Sequence, residues 1–302
     1  MILTMRRYSA FYLMAIPGLL YYFIFHYLPM AGVLIAFQDY SPLLGIKGVF
    51  TSPWVGLQHF ETFFSSPYFI RILQNTVIIS GLKLLFGFPA PVLLALLLNE
   101  LRGRIVKRFV QTISYLPHFL SWVVVAGMMI LLMSPSLGIA NPILERLGFD
   151  GNANLLGSSG TFRTVLVASS VWKEIGWNSI IYLAAISGIN PQLYEAAEMD
   201  GASRWKQVRH ITIPSLRHVM SILFILQVGH LLDAGFEQVF LLYSPAVYAV
   251  GDIIDTYVYR EGLIGLNYSF ASAVGLFKSV IAMILILSAN RLAKRLEAEG
   301  LW

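Results

Sequence analysis

The chain has 302 residues, 57% of them hydrophobic and 12% charged, with a formal net charge of +5 and a mean hydropathy of +0.70. A soluble domain carries roughly twice that charged fraction, and runs of about 20 apolar residues span the hydrocarbon core of a bilayer, so a soluble enzyme is excluded and an all-α, multi-spanning membrane protein is expected. Cysteine is absent, which excludes disulfides, thiolate metal sites and cysteine nucleophiles.

The first segment, "MRRYSAFYLMAIPGLLYYFIF", has the basic flank of a signal peptide. Its apolar run is too long and lacks a small-residue cleavage site, so it reads as an uncleaved first span. Six spans are predicted, at about 11–36, 72–98, 109–133, 163–187, 219–243 and 269–290, forming one transmembrane domain over 1–302. Basic residues gather in alternate connections. Arg6 and Arg7 precede the first span; Arg102, Arg104, Lys107 and Arg108 follow the second; Arg204, Lys206, Arg209 and Arg217 follow the fourth; Arg291, Lys294 and Arg295 follow the sixth. The other connections hold only Lys47, Arg146 and Arg260. That asymmetry places both termini in the cytoplasm and argues for membrane orientation rather than a nucleic-acid partner.

Residues 37–70 are rich in glycine, proline and aromatics, and Trp54, Leu57, Phe60 and Phe64 recur at helical spacing. This is an interfacial helix, serving either as an aromatic belt or as a dock for an external partner. Residues 135–160 read as a turn-rich outer loop. Asn267-Tyr268-Ser269 matches a glycosylation acceptor, but it abuts a span.

Ionisable groups inside a bilayer are expensive and normally face the bundle interior or a water-filled path. Lys83 lies mid-way along the second span, before Pro89 and Pro91. In the fourth span Ser170, Glu174, Trp177 and Asn178 share one arc, and Lys173 precedes Trp177 at a cation–π spacing. In the fifth, Gln227, His230, Glu237 and Gln238 share an arc with Asp233 at its edge; the sixth carries Lys278. Aromatic faces, amides, carboxylates and cations of this kind can line a polar path through the bundle. Alternatively, the acids pair internally with Lys83, Lys173 or Lys278. The six histidines show no ligand spacing, no phosphate loop is present, and neither a metal nor a catalytic residue is assigned.

The most polar long stretch is "YEAAEMDGASRWKQVRHITIPSL", residues 194–216. Asn190 and Pro191 start a helix. Gly201 suits the left-handed conformation that ends it. Ser203 caps a second short helix, which Pro214 is expected to terminate. Small Ala196 and Ala197 leave room for close approach. The result is a helix–glycine–helix elbow on the cytoplasmic face, spanning 190–218.

Glu195-Ala196-Ala197, three residues, Gly201, nine residues, then Ile211-Thr212-Ile213-Pro214 resembles the "EAA" loop of ATP-binding-cassette importer permeases. Ile213 stands where the family pattern has leucine. "FHYLPMAGVLIAFQDYSP", "SPWVGLQHF", "GFPAPVLLALLLNE", "QTISYLPHFLSWVV", "WKEIGWNSIIYLAAI" and "FEQVFLLYSP" extend the resemblance to the permeases for complex oligosaccharides, including those for alginate and pectin fragments. It implies a type I importer permease fold in a bacterial cytoplasmic (inner) membrane, with the elbow as a coupling helix. Glu195 and Gly201 would be the key docking positions, with Ala196, Ala197, Met199, Asp200, Ala202, Ser203 and Trp205 completing the surface. It also implies a second, similar but different permease chain, two ATPases that hold ATP and magnesium, an external solute-binding protein and an oligosaccharide substrate. This chain itself would bind no cofactor. Two competing functions are a membrane-embedded enzyme using Glu174, His230 or Asp233, and a secondary transporter with proton-carrying acids. Neither needs a cytoplasmic docking surface.

Overall fold

The computed structural model describes residues 9–101, 103–136, 138–148 and 154–295. Arg6, Arg7 and Arg102, and residues 137 and 149–153 of the long outer loop, lie outside the described residues. The main helices are α1 (Ser9–Tyr22), α2 (Phe69–Gly87), α3 (Pro89–Glu100), α4 (Arg104–Tyr115), α5 (Trp122–Leu132), α6 (Phe162–Ser187), α7 (Pro191–Met199), α8 (Arg204–Gln207), α9 (Ile213–Gly229), α10 (Phe236–Leu242) and α11 (Tyr268–Arg295). The chain divides into two compact units, one of residues 1–69 with 257–279, the other of 70–256 with 280–302.

In the first unit α1 continues through a π turn and a 3-10 stretch to Phe37. This 27-residue apolar rod is almost wholly uncovered by the rest of the chain. The expected interfacial helix is shorter than its aromatic spacing suggested. It covers Gln58–Phe64, whereas Trp54 sits in an extended bridge with Gln38 and stacks on Phe37 at 5.5 Å. Pro53 takes the preceding position, where a helix cannot keep its hydrogen-bond ladder. Phe63, which falls outside the predicted stripe, is the fully buried residue, packed against Phe69, Phe270 and Phe277.

The second unit is organised around α6, which packs on α3, α4 and α9. Ile79, Val125, Phe162, Leu166, Val239 and Ile253 form one buried core; Val92, Ala95, Tyr182, Ile186 and Leu216 form another. Asn75 of α2 donates to the carbonyls of Ala249 and Asp252, and Arg163 of α6 donates to Asn75 Oδ1 (2.7 Å) and the Val250 carbonyl. These bonds satisfy irregular backbone that would otherwise be costly inside the core.

Among the described residues, four helical stretches are long and apolar enough to cross a membrane, namely Phe11–Phe37, Phe69–Glu100, Arg204–Gly229 and Tyr268–Arg295. The expected span 109–133 is α4 and α5, a helix pair that passes the same test only together and is bent by 100°, the geometry of a broken span or of a re-entrant loop. Pro117 removes a backbone donor in the intervening turn, and Ser121 starts α5 afresh by accepting from the Val124 amide. The expected span 163–187 is α6. It has the length, but Lys173, Glu174, Asn178 and Ser179 make its middle too polar for the same criterion. The expected span 219–243 stops at Gly229; residues 230–235 are irregular before α10.

Pro214 does not end the second elbow helix. Helix runs from Arg204 to Gly229, with a π turn over Val208–Thr212 immediately before Ile213-Pro214. Widening that turn makes room for the proline ring and its missing donor, which an unbroken α-helix would not tolerate.

Candidate functional site

α2, α3, α6, α9 and the irregular 230–235 segment enclose a cavity of about 330 Å³. Its polar wall is Lys83, Glu174, Asn178, Gln227, His230 and Asp233; Phe88 and Tyr182 add aromatic surface. Lys83, Glu174, Asn178 and Gln227 come from largely apolar helices, which present them on one face; His230 and Asp233 come from the irregular segment. Ser80 Oγ, also on the wall, is buried without a hydrogen-bond partner among the described residues.

Lys83 is fixed at the break that follows α9. Its Nζ donates to the Ala234 carbonyl at 2.7 Å and to Gln238 Oε1. Gln238, 1% exposed, donates in turn to the Leu166 carbonyl and Ser169 Oγ, each at 2.8 Å. One lysine and one amide thus satisfy backbone carbonyls where the chain leaves the helical ladder. Gly235 makes this possible: its φ is +84°, and a Cβ there would press on Lys83 Nζ.

Glu174 is held from the other side. His118, in the turn between α4 and α5, donates from Nδ1 to Glu174 Oε2 at 2.8 Å. Lys173 Nζ lies 3.7 Å from Glu174 Oε1 and donates to the His118 carbonyl at 2.7 Å. The His118 ring stacks on Trp177 at 4.5 Å with planes 2° apart.

The elbow lies on the same unit. Asn190 accepts from the Gln192 amide at 3.0 Å, capping α7. Gly201 has φ +73°, and the Ala202 amide donates to the Ala197 carbonyl, closing the helix end. Ser203 takes the capping backbone conformation of α8 without a side-chain bond to it. Tyr194 and Thr212 hydrogen-bond through their hydroxyls at 2.9 Å, and Gln207 donates to the Ala202 carbonyl, so the two arms are tied together. Outward from this frame stand Met199, 89% exposed, and Trp205, 70% exposed, beside exposed Glu195, Ala196, Asp200 and Gly201. The capped, cross-braced elbow thus presents two large apolar side chains on its exposed face.

Residues 87–299 match the family described as the inner membrane component of binding-protein-dependent transport systems. The chain belongs to this family. Such a component is part of a transporter and not an enzyme. The chain is 46% identical over 299 residues to protein LplB of Bacillus subtilis (strain 168), covering 99% of this chain and 93% of that one. It is also 46% identical over 291 residues to the B. subtilis polygalacturonan/rhamnogalacturonan transport system permease protein YteP, covering 96% and 89%. Among solved structures, it resembles a bacterial ABC transporter involved in the import of the acidic polysaccharide alginate, with TM-score 0.88, 43% identity and 97% of each chain covered. The same holds for a bacterial alginate ABC transporter in complex with an alginate pentasaccharide-bound periplasmic protein, with TM-score 0.89, 42% identity and 99% and 98% coverage.

Within this permease, six of the ten residues expected along the pathway share the cavity, and four do not. Lys173 turns away; it is 5% exposed and sits 5.6 Å from the centre of the Trp122 ring, so its cation–π partner is not Trp177. Its buried ammonium takes the His118 carbonyl as partner, which only that direction offers. Trp177, 41% exposed, faces His118 and Phe119. Glu237 is exposed on α10, because the break at 230–235 interrupts the single arc expected for the fifth span. Lys278 is half-buried on α11 in the other compact unit. His118 was set aside by its lack of ligand spacing, and Tyr182 and Ser80 gave no signal beyond lying on a helix. All three depend on contacts between distant segments.

Proposed function

We propose that this chain is one of two membrane halves of an ATP-driven importer that carries oligosaccharides or polysaccharide fragments, uronate-bearing ones included, into the cytoplasm by alternating access. The observation that carries this reading is mechanical. The exposed knuckle around Gly201 is joined at one end to α6 and at the other to the Arg204–Gly229 rod, two walls of the same cavity. Force applied at the knuckle therefore reaches the cavity through covalently continuous helices.

In this reading the chain is a single permease domain that crosses the membrane six times, the third and fifth crossings being broken ones, with both termini and residues 190–218 in the cytoplasm. Glu195, Ala196, Ala197, Met199, Asp200, Gly201, Ala202, Ser203 and Trp205 dock on an ATPase subunit, which holds ATP and magnesium. A second, similar permease completes the pathway, and a solute-binding protein delivers the sugar from outside. Lys83, Asn178, Gln227, His230 and Asp233 meet its hydroxyl and carboxylate groups. The alginate and polygalacturonan systems named above support an acidic substrate.

Glu195→Lys tests the docking half. The variant should still insert in the membrane but lose its ATPases on co-purification; recovery of the full complex would overturn the reading. Oligouronides presented with the binding protein should stimulate ATP hydrolysis by the reconstituted assembly.

A further inference from the structure

We infer that His118, which no sequence pattern singles out, is a positioning residue that decides how well the pathway accepts a carboxylate-bearing sugar. This rests on the importer reading above and deepens it.

Glu174 is an awkward residue for such a path. A half-buried carboxylate on the cavity wall repels a passing uronate and attracts nothing that a neutral acceptor would not. His118 addresses this with three contacts at once. Its ring nitrogen occupies Glu174 Oε2, its backbone carbonyl holds the Lys173 ammonium 3.7 Å from Oε1, and its ring is clamped against Trp177. The charged groups that bond to His118 are Glu174 and Lys173, both from α6, and the Phe119 and Trp177 rings lie beside it. Lys83, and His230 and Asp233 of the irregular segment, line the same cavity as Glu174. His118 itself is not part of the wall. It acts through Glu174, keeping the carboxylate in one orientation with its charge partly answered, so that its free lone pairs receive sugar hydroxyls.

The bland alternative is that the same contacts only pack the α4–α5 turn against α6. A purely structural contact lowers transport of every ligand alike, whereas a positioning contact changes the ratio between charged and uncharged ligands.

The experiment uses the complete importer in proteoliposomes, with its partner permease, ATPases and binding protein. The ligands are tetragalacturonate and its fully methyl-esterified form. The binding protein is common to all arms and cancels from ratios taken relative to wild type. His118→Phe keeps the stack but removes the hydrogen bond. It should lower the uptake ratio of free acid to ester about fivefold, within the range of coupling between contacting side chains. His118→Gln, which keeps an N–H donor, should stay within about twofold of wild type. Adding Glu174→Gln to His118→Phe should bring the ratio back to that of Glu174→Gln alone. If His118→Phe lowers both ligands in equal proportion, or if Glu174→Gln does not restore the ratio, the proposal is overturned while the importer reading stands. If wild type takes up neither ligand, both fall.

Discussion

The elbow and the cavity lie on one compact unit, yet they are specified in opposite ways. The elbow is local. Its cap, its left-handed glycine and the bonds that close α7 join residues no more than about eighteen positions apart. The cavity draws Lys83, Glu174, Gln227 and Asp233 from four separate segments, and its key bonds join residues 151 and 155 positions apart. Local chemistry makes a surface that presents itself outward; distant pairing makes a chamber whose polar groups hold one another. Damage to the elbow should therefore break attachment and leave the chamber intact, and damage to the chamber should do the reverse.

The largest expected effect follows Gly201→Asp. A side chain at φ +73° costs roughly 1–2 kcal/mol and adds charge at the exposed tip proposed to dock. Co-purified ATPase should fall to background while the thermal unfolding of the detergent-solubilised permease shifts little; full attachment would remove the distinction between the regions. Next comes Gln238→Leu, which strips partners from Lys83, the Leu166 carbonyl and Ser169. Each group keeps another partner, and three lost hydrogen bonds at about 0.5–1.5 kcal/mol each should lower the melting temperature clearly with ATPase attachment retained. Asn178→Ala should raise the half-saturating sugar concentration for stimulated ATP hydrolysis by about tenfold, the loss of one hydrogen bond to a ligand hydroxyl, with basal hydrolysis unchanged. Asn190→Ala removes the α7 cap and should cost roughly 1 kcal/mol, weakening attachment partially. Pro214→Ala should be almost silent in both assays, within about 0.5 kcal/mol, because the π turn already accommodates the ring.

What was legible in the sequence divides along the same line. Asn190, Pro191 and Gly201 could be placed correctly because each acts through its neighbours. The polar arc of α6 put Glu174 and Asn178 on the right face, since one unbroken helix keeps its period. The arc drawn through Gln227, His230 and Glu237 failed beyond His230. The helix stops at Gly229, and Gly235, which leads into the next one, sits against Lys83, which the local sequence does not contain. Lys173 was misassigned to Trp177 for a related reason: its partner, the His118 carbonyl, belongs to the turn at Pro117–Ser121 that separates α4 from α5. Pro214 looked like a terminator because proline usually is one; the compensating π turn leaves no residue signature.

The Arg204–Gly229 stretch has one further consequence. At about 1.5 Å per residue its 26 residues are roughly 39 Å long, with Trp205 at one end and Gln227 at the other. A lever of that length pivoting near its middle by about 5° swings each end by roughly 1.7 Å, in opposite senses. Half a hydrogen-bond length of travel at the tip is then matched, with no relay of side chains, by comparable travel at Gln227. Along it the helix departs from α geometry at the wide turn over Val208–Thr212, so in the importer reading the stiffness of those five residues sets how much of the stroke is delivered.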